Sequence, residues 1–274
     1  MDKMNRRKFL GATLAASAVG MGRVAQAEVP MDASVSAGTR QREFYLMRRY
    51  HLQSGPQTKL VESYFADALL PALARMGMGP VGAFKVDVGP ETPSFYAFIP
   101  GKSLEDLVML DLKLAQDAAF LKAAGPFWNA PAVSPAYLRV ESSLLAAFEG
   151  WPKVTLPANS AAKSHRIFQL RIYESPTEHA HTEKVHMFHD GEFELFKNAG
   201  FQPVFFGDTM VGPLMPNLTY MLAFDDQRQL EAQWETFRAD PAWKKLSGLP
   251  RYGVEAIVSN TTNLILSPLA CSQI

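Results

Sequence analysis

Hydrophobic and polar positions alternate from Phe44 onward in runs of two distinct periods. Residues 44–52 are dense in aromatic and apolar side chains and predict a strand, stopped by Gly55-Pro56. Leu60, Tyr64, Leu69 and Leu73 then recur near helical spacing up to Met76, and Gly77 suits a helix C-terminus. Strands follow over residues 80–88 and 95–99, a second helix over 104–122 and a fourth strand over 137–145. The order β-α-β-β-α-β is a ferredoxin-like unit. It recurs: strand 168–173, helix 178–198, strands 204–211 and 218–224, helix 227–239, a short turn opened by Asp240-Pro241, and strand 254–266. Residues 151–164, with two prolines and small polar residues, link the halves.

The recurrence extends to residue identity. Residues 44–126, moved by 123 positions, lie on 167–249 without a gap, and sixteen positions match, against about five by chance. The pairs include Arg48/Arg171, Tyr50/Tyr173, Phe65/Phe188, Gly77/Gly200, Gly89/Gly212, Pro90/Pro213 and Asp117/Asp240. The domains expected are repeat 1 at 42–150 and repeat 2 at 165–274. Each four-stranded sheet covers one face with its helices and leaves the other bare. Two bare faces in one chain can close on each other. The fold predicted is therefore α+β: two tandem ferredoxin-like repeats packed as an intramolecular α/β barrel, helices outside. The central space, lined by strand residues, is the default site.

Residues 1–27 read as an address instead. Asn5-Arg6-Arg7-Lys8-Phe9-Leu10 has the form of a twin-arginine signal, followed by an apolar run to Met21 and an A-x-A cleavage site at Ala25-Gln26-Ala27. Cleavage near Ala27 would leave a disordered leader, 28–41, and a periplasmic or otherwise exported protein. Removing Lys3, Arg6, Arg7, Lys8 and Arg23 together with Asp2 takes the basic count from 27 to 22 and the acidic count from 27 to 26, a net of −4. With no basic patch, nucleic acid is not an expected partner, and no stable membrane anchor is predicted. The single cysteine, Cys271, excludes a disulfide framework and multi-cysteine zinc sites.

Candidate chemistry starts with Arg48 and Arg171, each mid-strand, where an unpaired arginine is costly to bury. Facing a pocket, either could hold a carboxylate or phenolate in bidentate fashion; paired to a neighbouring acid or reaching solvent, it would be structural. Tyr50, Tyr173, Tyr96 and Tyr220 lie on strands and, with Phe206 and Trp243, could line an aromatic pocket or simply fill a core. Five of the six histidines fall in repeat 2. His186, His189 and Glu192 follow helical spacing and form a weak N/N/O metal set, or else a solvated helix face. Repeat 1 has Ser63, Ala66 and Leu69 in their places, so repeat 2 would be the active half. Gly191, inside the same helix, predicts a close approach or a kink. No G-x-S-x-G elbow, Walker A loop, G-x-G-x-x-G turn or H-E-x-x-H is present, which argues against standard hydrolases, nucleotide-binding enzymes and zinc proteases.

Phe168-Gln169-Leu170-Arg171-Ile172-Tyr173, Gly200-Phe201-Gln202-Pro203-Val204-Phe205-Phe206-Gly207, Gly212-Pro213 with Pro216-Asn217-Leu218-Thr219-Tyr220, and Asp240-Pro241-Ala242-Trp243 resemble the NIPSNAP family. Phe44 to Tyr50 carries the same pattern in diluted form, and repeat 1 has Phe120 for the tryptophan and Ala118 for the proline. The resemblance implies the dimeric α/β-barrel superfamily, whose branches include cofactor-free monooxygenases, small-ring isomerases and haem-handling enzymes. The first functional reading is an exported protein that binds a small aromatic or anionic molecule in a barrel pocket and acts on it as a cofactor-free oxygenase or isomerase. Arg171, Tyr173, His186 and His189 would be its catalytic residues, and Arg48, Tyr50, Tyr96, Phe206, Tyr220 and Trp243 its ligand contacts. A non-enzymatic scaffold is the second reading, and a haem or metal protein the third. No cofactor is predicted by the first. The partners expected are a small-molecule ligand, the twin-arginine export machinery and, through further pairing of pseudo-dimers, a homo-oligomer.

Overall fold

The structure, a computed structural model, describes residues 42–274; the predicted signal (1–27) and leader (28–41) lie outside the described residues. Eight strands close into a barrel: β1 (Phe44–His51), β2 (Gly82–Val88), β3 (Ser94–Gly101), β4 (Arg139–Ala147), β5 (Ile167–Glu174), β6 (Gln202–Val211), β7 (Asn217–Phe224) and β8 (Asn260–Pro268). Their order around the barrel is β1-β3-β2-β8-β5-β7-β6-β4. Every neighbouring pair is antiparallel. Within each repeat the order is that of the ferredoxin-like unit, β4-β1-β3-β2 and β8-β5-β7-β6. The repeats join twice, β2 to β8 and β4 to β6. Each sheet thus gives both its edges to the other, and no strand edge is left to template foreign pairing. The intramolecular α/β barrel expected from the repeat is what forms.

Strand alternation sorts the side chains. Tyr45, Met47, Phe168 and Leu170 point inward with Phe84, Phe98, Phe205 and Leu266, while Leu46 and Tyr50 join the core beneath the helices of repeat 1. The Phe98 and Phe205 rings stack at 4.3 Å, and Phe84 meets Phe168 edge-on at 4.9 Å. Such rings contribute by area and by offset or edge geometry. They fill the middle of the barrel, so the expected central site is instead a packed core. A cavity of ≈ 180 Å³ opens beside Arg49, Tyr96 and Glu141.

The helices cover the outer face. In repeat 1, α1 (Pro56–Ser63) runs through a π-helical turn (Tyr64–Leu69) into α2 (Leu70–Arg75). It begins four residues before the predicted apolar run because Pro56 pre-sets the first helical turn. The predicted helix 104–122 is three pieces, α3 (Leu104–Val108), α4 (Leu110–Leu114) and α5 (Ala118–Trp128). Ser103 and Asp117 cap α3 and α5 by accepting the amides of Asp106 and Phe120. A short α6 (Ala158–Ala161) sits in the linker. Repeat 2 has α7 (Glu178–Met187), a π turn (Phe188–Glu192), α8 (Phe193–Asn198), α9 (Gln227–Ala239), α10 (Pro241–Ser247) and α11 (Val254–Ile257). The last predicted strand, 254–266, is corrected here. Its partner β5 ends at Glu174, opposite Asn260, so residues 254–257 have no strand to pair with and form α11.

Candidate ligand-binding site

On β5, Gln169, Arg171 and Tyr173 face the helix layer of repeat 2. Arg171 lies opposite Tyr220 of β7 on one side and Asn263 of β8 on the other. A cavity of ≈ 290 Å³ opens between this sheet face and the helices. Arg171, Tyr173 and Thr261 form its floor, Lys184, Met187 and Glu192 one wall, and Trp234, Phe237 and Trp243 the other.

Arg171 is the charged group at the centre. Its guanidinium lies 4.4 Å from the Trp234 ring centroid and 5.2 Å from that of Tyr173. The Trp234 indole is fixed in turn, its Nε1–H donating to Gln169 Oε1 at 2.7 Å. Among the described residues no carboxylate lies within ion-pair distance of Arg171, and its buried Nε has no hydrogen-bond partner. Burial works against the charge, but the oxygens of Tyr220 and Tyr173 and the Glu192 carboxylate outweigh it and hold the pKa above the ordinary arginine value. Arg171 therefore sets a cation with no carboxylate in ion-pair distance against the cavity, an arrangement suited to an anion.

Two polar pairs flank it. Tyr173 Oη and Tyr220 Oη are 3.0 Å apart. Burial, above all, pushes the Tyr220 phenol well above its usual range, so this hydroxyl keeps its proton. Lys184 Nζ donates to Glu192 Oε2 at 2.7 Å, with side chains only 4% and 3% exposed. These residues are eight apart in sequence. An unbroken α-helix would separate them by about 12 Å along its axis and about 80° around it. The π turn and Gly191 (φ 150, ψ −17) break the helix between them and let the long side chains meet.

Repeat 1 holds a second cavity, ≈ 370 Å³, at the equivalent place around Arg48, Tyr50 and Tyr64. Its arginine is not free: Arg48 Nη1 is 2.8 Å from Asp111 Oδ1. The 123-residue shift that relates the repeats puts Trp234 where Asp111 stands. The two mid-strand arginines thus differ, Arg48 paired to an acid and Arg171 resting on an indole.

The predicted site residues separate into several places. Arg171, Tyr173 and Trp243 come together at the repeat-2 cavity, with Tyr220 fully buried behind Tyr173, and Arg48 and Tyr50 meet at the repeat-1 cavity. Tyr96 faces the barrel interior, with the Arg49 guanidinium 6.0 Å from its ring. Phe206, expected as a ligand contact, is instead fully buried in the core, packed on Tyr220, Phe188 and Phe193. His186 and His189 are corrected too. His186 is exposed beside Glu183. His189 is a latch between elements, its Nδ1 bonded to the Val185 carbonyl at 2.9 Å and its Nε2 accepting the Gly150 amide at 3.1 Å. Glu192 turns away to Lys184, so His186, His189 and Glu192 do not converge. No group of three His, Cys, Asp or Glu placed to hold a metal occurs among the described residues.

Lys184 and Trp234 escaped the sequence reading. The repeat did carry their signal: Val61 and Leu69, both fully buried, are replaced by Lys184 and Glu192. Two core positions that turn opposite in charge together are a compensated pair.

The NIPSNAP family model matches residues 168–273, which is repeat 2. Two bacterial proteins, each named "putative monooxygenase", share the fold across both repeats. The one from Lactobacillus acidophilus aligns with a TM-score of 0.54 and 10% identity, over 83% of this chain and 94% of its own. That from Fusobacterium nucleatum gives 0.53 and 8%, over 84% and 94%. A NIPSNAP-like domain protein from Burkholderia xenovorans is 20% identical over 39% of this chain and 87% of its own, with a TM-score of 0.35. No curated protein matches the chain. The fold is a single-chain α/β barrel of two ferredoxin-like repeats, and the similarity to the NIPSNAP family model is confined to the second of them.

Proposed function

We propose that the protein binds a small aromatic anion in the repeat-2 cavity and acts on it as a cofactor-free oxygenase or isomerase. The observation that carries this is Arg171, cationic, stacked on Trp234 and without a carboxylate partner among the described residues. A carboxylate or phenolate of the ligand would supply the missing partner, while Trp234, Phe237 and Trp243 enclose its ring. The cavity volume of ≈ 290 Å³ suits a ligand of one or two rings.

Proton handling falls to groups other than the predicted histidines. Glu192 lines the cavity as a proton acceptor, and Tyr173, its oxygen hydrogen-bonded to the buried Tyr220 hydroxyl, can donate to a developing oxyanion. In an isomerisation, a C–H bond beside a carbonyl breaks, Glu192 takes the proton, and the electron pair passes to the carbonyl oxygen facing Arg171. The proton then returns at a second carbon. In an oxygenation, the same carbanion forms a C–O bond to molecular oxygen, the co-substrate; the peroxide takes the proton back from Glu192, and its O–O bond breaks with loss of water as that carbon becomes a carbonyl. No resident metal is needed for either sequence.

The scaffold reading draws on the packed barrel centre and the Arg48–Asp111 pair. A cavity around an arginine with no carboxylate in ion-pair distance among the described residues favours binding instead. The test is thermal protection by benzoate, salicylate and naphthoate. We expect protection of the wild type and its loss in Arg171→Met; equal melting temperatures with and without ligand in both would refute the proposal. Export is likewise proposed, from residues 1–27, and is checked by the mass of protein recovered from the periplasm, which should begin near Glu28.

A further inference from the structure

The repeat-1 cavity differs from its counterpart in charge as well as in shape. Arg48 forms its floor and is 91% buried, but Asp111 neutralises it and stands at the mouth with a carboxylate 61% exposed. The walls are aromatic. Tyr64 stacks flat on Phe127 at 3.8 Å, Tyr137 leans on Phe127 at 5.6 Å, and the edges of Trp128 and Tyr137 are more than a third exposed. Arg48 Nε is buried without a hydrogen-bond partner, so the floor is not fully satisfied from within.

We propose that this cavity is a second ligand site, specific for an uncharged planar phenol or aromatic amide, and that position 111 sets the specificity. A net-neutral floor gives an organic anion no Coulombic gain and meets it with the Asp111 carboxylate. A neutral hydroxyl can donate to Asp111, while a carbonyl or phenol oxygen can accept from Arg48. The exposed rims of Trp128 and Tyr137 supply the stacking surface. In repeat 2 the same position is Trp234, which leaves Arg171 to recognise charge. One fold thus presents two sites of different charge class, distinguished by Asp111 against Trp234.

The test is isothermal titration with 4-hydroxybenzamide as the neutral probe and benzoate as the anion. The probe should bind wild type at one equivalent. Its affinity should fall at least 10-fold in the surface variant Trp128→Ala/Tyr137→Ala and stay unchanged in Arg171→Met. That last variant separates this site from the repeat-2 proposal, since it disables only the latter. Asp111→Asn should weaken the neutral probe and let the freed Arg48 take one additional equivalent of benzoate. Absence of probe binding at millimolar concentration, binding abolished by Arg171→Met, or no additional benzoate site in Asp111→Asn would each overturn the proposal.

Discussion

Lys184 and Glu192 lend themselves to a reversal that repeat 1 has already written. Lys184→Val removes the partner of a carboxylate only 3% exposed. Glu192→Leu does the same to an ammonium 4% exposed. Leaving one buried charge of such a pair unpaired costs about 3–5 kcal/mol. For a folded unit of this size, at about 2–4 °C per kcal/mol, each single variant should melt roughly 6–20 °C below wild type. The double variant restores the Val61 and Leu69 pattern of repeat 1 and leaves no charge behind. Replacing a buried ion pair by apolar residues of fitting volume is often neutral or stabilising by about 1–4 kcal/mol. The double variant should therefore recover most of the loss and melt near or above wild type. Differential scanning calorimetry of the four proteins gives the cycle. If the double variant is as unstable as the sum of the singles, the pair is not coupled and the account of the cavity wall is wrong. If the stable double variant also keeps full turnover of a substrate, Glu192 is not the proton acceptor.

Other predictions follow from the same geometry. Arg171→Met should weaken benzoate binding by about 10- to 150-fold, the loss of about 1.5–3 kcal/mol expected for hydrogen bonds to a charged group, measured by titration calorimetry. Gly191→Ala meets no steric block, its nearest new neighbour being Leu246 Cδ2 at 3.7 Å. The φ of +150 is nonetheless unfavourable for any side chain, so urea unfolding should show a loss of about 1–3 kcal/mol. Six of the eight tyrosines, Tyr45, Tyr50, Tyr64, Tyr96, Tyr220 and Tyr252, have phenol pKa values raised chiefly by burial, Tyr96 to about 12. The folded state binds these protons more tightly than the unfolded chain does. Their contribution is complete below pH of about 10 and is lost as pH climbs above it. These six phenols should therefore stay protonated through pH 10 in the folded protein, as followed by absorbance at 295 nm; a full eight phenolates near pH 10 in folded protein would refute this.

The repeat made the fold readable. A gapless 123-residue shift with matched Gly77/Gly200 and Pro90/Pro213 implied two like units, and bare sheet faces implied closure. Periodicity alone could not show that Phe84, Phe98 and Phe205 would fill the centre, because alternation marks two faces without saying which encloses a cavity. It also missed the break at Gly191, since a π turn shifts helical register without changing residue type. That break separates His186 and His189 from Glu192, and the metal set drawn from ideal spacing dissolves with it. Arg171 and Tyr173 stand out in the sequence because they recur at Arg48 and Tyr50. Lys184 and Trp234 do not stand out in the sequence because they lie where the copies differ, at Val61/Lys184 and Asp111/Trp234. Phe206 was misplaced because an aromatic residue on a strand looks the same whether it walls a cavity or fills a core.

The most direct test of an anion held by Arg171 is crystallographic. Crystals grown with 4-bromobenzoate and measured at the bromine edge would locate the ligand by anomalous scattering. A strong peak is expected between Trp234, Phe237 and Trp243, with the carboxylate on Arg171. A peak confined to the cavity beside Arg49 and Tyr96, or none at a concentration that saturates binding in solution, would contradict it.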